Sequence, residues 1–87
     1  MWTLRLSRQA AQFFESLTGK HKTQMAHAFD RLTTDPHLGK TLRGELKGYW
    51  SYRVGVYRII YVIRHTEIVI EVLRVQHRRD VYERFQG

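Results

Sequence analysis

The chain has 87 residues, with 15 Lys+Arg against 8 Asp+Glu for a formal net charge of +7, a hydrophobic fraction of 43% and no cysteine. This length suits one domain near the lower end of what folds alone, and the missing cysteine excludes disulfides and thiolate metal sites while allowing a reducing cytosol. No run approaches the roughly 18 apolar residues of a membrane span and "MWTLRLSRQ" has no apolar h-region, so a soluble, cytoplasmic protein is expected, with a polyanion as the first partner to consider.

"WTLRL" alternates, which predicts a short strand over residues 2–6. Ser7 follows as an N-cap for a helix through Leu17, whose apolar residues Ala10, Phe13, Phe14 and Leu17 recur at helical spacing. Gly19 breaks that helix. A second helix is predicted over residues 20–34, with Met25, Ala28, Phe29 and Leu32 as its apolar stripe and Asp35-Pro36 as its stop. The two stripes are read as core packing. "PHLGKTLRGELK" reads as a connecting loop, followed by strands over residues 48–54, 57–64 and 67–76, with turns at Gly55-Val56 and His65-Thr66. The closing "HRRDVYERFQG" reads as a short helix or tail. The expected fold is therefore α+β, a small antiparallel sheet of about four strands packed by an N-terminal helical hairpin.

Alternation then assigns faces. Trp50, Tyr52, Val54, Tyr57, Ile59, Tyr61, Ile63, Ile68, Ile70 and Val72 share one nearly apolar face, expected to meet the helices. The other collects Ser51, Arg53, Arg58, Arg64, Glu67 and Glu71 among Ile60, Val62, Val69 and Leu73, a mixture suited to a partner or substrate. A two-residue turn at Gly55-Val56 sets Arg53 directly opposite Arg58. At about 5 Å between Cβ atoms, two cations repel by roughly 1 kcal/mol in water and roughly 3 kcal/mol at an effective dielectric of about 20. An anion between them reverses the sign of that interaction.

The order strand, helical hairpin, basic loop and sheet, with "LRG" at residues 42–44, "RVGVYRIIY" at 53–61 and "HRRDVY" at 77–82, resembles the RelE/ParE superfamily of toxins from type II toxin-antitoxin systems, over essentially the whole chain. The resemblance implies a RelE-like mRNA interferase: a ribosome-dependent endoribonuclease that cuts mRNA in the decoding site, inhibits translation and is neutralised by a cognate antitoxin. Arg53 and Arg58 fall on its basic middle-strand positions, Arg78 on the arginine after the last strand and Tyr82 on the C-terminal tyrosine. Ser51 stands where some active members have lysine. The resemblance also implies a RelB-like antitoxin, acidic to suit the +7 charge, with operator DNA reached only through it.

Metal-independent RNA cleavage uses the 2′-hydroxyl against the adjacent phosphorus, and abundant cation with few clustered carboxylates makes charge stabilisation its main need. Arg53 and Arg58 are the expected phosphate clamp. Tyr82 and His77 are the candidates for proton transfer; surrounding cations favour a phenolate, and a lone histidine at a strand end is more often structural. Lys40, Arg43, Lys47, Arg79 and Arg84 are expected to hold RNA or ribosomal backbone, contacts that position without specifying sequence. The remaining histidines show no ligand pattern such as HExxH, so no metal and no cofactor is assigned. Two alternatives stay open: a ParE-like toxin that binds gyrase without RNA chemistry, and a non-enzymatic RNA-binding domain.

Overall fold

The computed structural model describes residues 1–77, in the order β1 (Thr3–Leu6), α1 (Arg8–Ser16), α2 (Gly19–Thr34), β2 (Lys40–Thr41), β3 (Trp50–Val54), β4 (Tyr57–Arg64) and β5 (Val69–His77). Ser7 caps α1 as its position predicts, its side-chain oxygen accepting from the Ala10 N–H at 3.1 Å. Gly19 takes φ +53 at the start of α2, so the break between the helices is a glycine-dependent corner. Asp35 closes α2 and then caps a single 3-10 turn, Pro36–Leu38, by accepting from the His37 N–H.

The α+β class holds, with two differences from the sequence reading. Among the described residues the sheet has five strands in the order β1-β5-β4-β3-β2, and it is mixed because β1 runs parallel to β5. The fifth strand, β2, is two residues long and sits inside the expected loop, too short for any periodicity to mark. The parallel edge arises because β1 is linked to the rest of the sheet only through both helices, so no turn dictates its direction. A short "HRRDVYERFQG" helix or tail falls outside the described residues, except for His77 at the end of β5.

The first hairpin has the predicted register: Val54 pairs with Tyr57 and Arg53 with Arg58, while Gly55 takes φ +59 and Val56 stays out of the left-handed region. The second hairpin departs from prediction. Arg64 pairs with Val69, so the turn takes four residues rather than the expected His65-Thr66. Neither of those two supplies the left-handed conformation a two-residue turn needs, and the chain instead places Ile68 there at φ +57, an uncomfortable choice for a β-branched residue. Ile68 consequently leaves the core face and is 52% exposed, and Glu67 lies in the turn.

Both helices cover one face of the sheet. Ala10, Leu17, Met25, Ala28, Phe29 and Leu32 pack on Ile59, Tyr61, Ile70, Val72 and Val75, with Trp50, Tyr52, Val54, Tyr57 and Ile63 partly buried around them. The tyrosines and Trp50 of the strands are thus core residues, as alternation predicts.

Candidate functional site

The uncovered face carries the arginine pair. Arg53 and Arg58 are direct cross-strand partners, and Arg58 Nη1 donates to Ser51 Oγ at 3.1 Å. Ser51 is buried, and its short side chain leaves room for the longer one to lie along the sheet. Lys40 is the register partner of Ser51 on β2. A cation on the neighbouring strand thus stands beside Ser51. Together Lys40, Thr41, Ser51, Arg53 and Arg58 line a groove of about 380 Å³ that also runs under Leu38 and Leu42.

A bulge in β5 adds residues the sequence reading left out. Ile60 pairs with Arg74 but Tyr61 pairs with Val72, so Leu73 is the extra residue and the alternation changes phase there. Val75 is thereby turned into the core while Arg74 and Gln76 are turned onto the face of Arg58, Gln76 being its direct partner. The sequence carried a signal for this: apolar residues at 70, 72 and 75 break the period of two. Strict alternation would have buried Arg74 and Gln76 against the helices.

Residues beyond β1 hold the bulge. Ser7 Oγ donates to the Leu73 carbonyl at 2.6 Å, and the Gln9 amide both donates to the Val75 carbonyl and accepts from the Val75 N–H, each at 3.1 Å. The Gln9 side chain thus continues β1 as if it were one more residue of strand. Gln9→Ala leaves two partly buried backbone groups of β5 without these partners, and the expected cost is about 1–3 kcal/mol in urea denaturation. A cost below about 0.5 kcal/mol would show that the bulge holds itself.

Charge is unevenly spread over this face. At the β1 edge, Glu71 Oε1 receives Arg5 Nη1 at 3.3 Å and Arg64 Nε at 3.4 Å, which neutralises part of the positive field. Among the described residues, neither Arg53 nor Arg74 is in an ion pair. Positive potential is therefore concentrated toward β3. Below the groove, the buried Tyr61 hydroxyl donates to the Pro36 carbonyl at 2.7 Å and accepts from the Gly39 N–H at 3.2 Å, fastening the loop before β2 to the sheet.

The other predicted residues separate. Arg43 and Lys47 are exposed on either side of a 3-10 turn, Gly44–Leu46, beyond the groove lining. His77 is the register partner of Tyr57 and its ring lies 6.2 Å from that tyrosine, on the helix side of the sheet and away from the Arg53–Arg58 pair. Arg78, Arg79, Tyr82 and Arg84 lie outside the described residues.

Residues 4–82 match the family model described as the ParE toxin of type II toxin-antitoxin system, parDE. The chain belongs to the RelE/ParE toxin superfamily. Toxin RelG of Mycobacterium tuberculosis is 45% identical over 58 residues, which cover 66% of this chain and 67% of that one. The toxin-antitoxin complex RelBE2 of the same organism is similar in structure, with a TM-score of 0.78, 33% identity and coverage of 87% of this chain and 96% of that one. The isolated RelE toxin of Escherichia coli shares the fold at 16% identity, with a TM-score of 0.77 and coverage of 98% and 99%. This RelE/ParE toxin is thus RelE-like in its fold, and its groove occupies the face opposite the helical hairpin.

Proposed function

We propose that this type II toxin is a ribosome-dependent endoribonuclease that cleaves mRNA in the decoding site, stops translation in the cytoplasm and is neutralised by an acidic, RelB-like antitoxin through which operator DNA is bound. The observation that carries this reading is the opposed Arg53–Arg58 pair in a groove with Lys40 and Ser51. Two arginines set opposite each other across the strands can each offer a guanidinium fork to the non-bridging oxygens of one phosphodiester, and their charge is most useful when the phosphorane gains its extra negative charge.

In the proposed reaction the 2′-oxygen forms a bond to phosphorus as the bond from phosphorus to the 5′-oxygen breaks. A proton leaves the 2′-hydroxyl and another arrives at the 5′-oxygen, giving a 2′,3′-cyclic phosphate and a 5′-hydroxyl end. Ser51 orients Arg58 through its hydroxyl, Lys40 stands where a strand lysine would otherwise reach, and Arg53 closes the clamp. Proton transfer falls to Tyr82 and orientation of the phosphate to Arg78, both on the strength of the resemblance. The placement of His77 against Tyr57 supports a packing role for it.

The test uses programmed ribosomes and an mRNA in which only the nucleotide 5′ to the cut carries 2′-deoxyribose. Cleavage at that position is expected to disappear, with the all-ribose control ending in a cyclic phosphate. Persistent cleavage of the deoxy substrate would reject 2′-hydroxyl attack. Inhibition of gyrase supercoiling with the mRNA left whole would favour the ParE-like reading, which the serine at position 51 and the match to the ParE toxin family model support.

A further inference from the structure

A second groove, of about 260 Å³, lies on the other side of the β3 edge, between α2 and the first hairpin. Gln24, His27 and Arg31 line it from α2 at helical spacing, and Tyr52, Arg53 and Gly55 line it from the hairpin. None of the residues lining it is acidic. Arg31 is exposed and, among the described residues, is in no ion pair.

Tyr52 and Arg53 line both grooves, so the two are joined across the edge of β3. That edge is open because β2 pairs only with Trp50 and Ser51. In a two-residue hairpin the closing pair, here Val54 and Tyr57, exchanges both backbone hydrogen bonds, so Arg53 turns its own N–H outward at the junction. An amide donor and an arginine side chain therefore mark the passage from one groove to the other.

We propose that the α2 groove binds a flanking phosphodiester of the same RNA strand whose scissile phosphate sits between Arg53 and Arg58, with Arg31 as its principal cation. This rests on the reading of the first groove as the RNA site. A single continuous polyanion accounts for both grooves at once, since Arg53 is shared and each groove is basic. An acidic peptide would satisfy the α2 groove alone and gives no reason for the junction.

The probe is a fully 2′-O-methylated single-stranded RNA, which binds but has no 2′-hydroxyl to react. Its affinity is measured across a salt series for the wild-type protein, Arg31→Ala and Arg58→Ala. Arg31→Ala is expected to weaken binding about tenfold at low salt, and to lower the slope of log affinity against log salt by about 0.7, the share of one phosphate on a single strand. Wild-type affinity and slope in Arg31→Ala, with Arg58→Ala weakened, would overturn the flanking site alone. If neither variant changes binding, the first groove is not the RNA site and both readings fall. Loss of binding to polyglutamate in Arg31→Ala with RNA binding intact would assign the groove to an acidic peptide instead.

Discussion

Replacing Arg58 with alanine is expected to lower the rate of mRNA cleavage on programmed ribosomes by at least about 100-fold, the usual loss when one preorganised donor to a transition-state oxyanion is removed. The effect should be large because Arg58 is fixed before RNA arrives. Its Nη1 donates to Ser51 Oγ at 3.1 Å, which orients the guanidinium along the sheet. Deleting one of two opposed cations removes a repulsion but also the hydrogen bond to buried Ser51, so rates are compared below the melting temperature of the variant. Arg58→Lys keeps the charge and loses the fork, and an intermediate rate is the expected result. Equal rates for wild type and Arg58→Ala, with thermal midpoints matched, would remove Arg58 from the site.

The second large effect is on folding. Gly39→Ala should cost roughly 1–3 kcal/mol or more, as overpacking of a filled site does. A Cβ built at Gly39 would lie 2.5 Å from the Tyr61 hydroxyl and 2.7 Å from the Ser51 carbonyl oxygen, and the second of these is backbone that cannot swing aside. At about 4–8 °C per kcal/mol for a chain of this size, the melting temperature should fall by about 4–24 °C. The same substitution pushes β2 and Lys40 away from Ser51, so cleavage should fall as well. A melting temperature within about 2 °C of wild type would mean that the loop has room the structure does not show.

Tyr61 lends this contact a pH dependence. Burial, with only partial relief from the Gly39 N–H and a further rise from the Asp35 charge, pushes its hydroxyl up to about 12. A proton held more tightly in the folded state stabilises the fold fully below the ordinary tyrosine value near 10, and that contribution is lost as pH rises from about 10 to 12. Tyr61→Phe should therefore be the less stable protein at neutral pH, where both hydrogen bonds are made. The gap should narrow above pH 10 in parallel urea titrations; a constant gap would show that Tyr61 does not ionise on unfolding.

Much of the fold was legible because local chemistry and global packing agree over most of the chain. Ser7, Gly19 and Asp35-Pro36 mark helix ends by capping, left-handed backbone and a missing donor, each a property of one or two residues. Gly55-Val56 fixed the register of the first hairpin, and with it the Arg53–Arg58 pair. The second hairpin failed because His65-Thr66 offers no such chemistry, and the turn settled on Ile68 at a conformation that no propensity favours. The parallel pairing of β1 and the two-residue β2 depend on tertiary contacts alone.

The candidate site was legible in its strand residues and not in the residues that complete the groove. Arg53 and Arg58 follow from alternation; Arg74 and Gln76 follow only from the bulge at Leu73, which Ser7 and Gln9 hold from 66 residues away in sequence. The sequence places Lys40 in a connecting loop. Its register with Ser51 brings it into the groove, a placement no single strand could display.

The most direct measurement maps mRNA 5′ ends by primer extension after adding the purified toxin to a translating extract, beside Arg58→Ala and a reaction on naked mRNA. Cuts within codons that require ribosomes and vanish with Arg58→Ala are the predicted result. Intact mRNA in the translating extract, or cuts that survive the loss of Arg58, would contradict a phosphate clamp built on the Arg53–Arg58 pair.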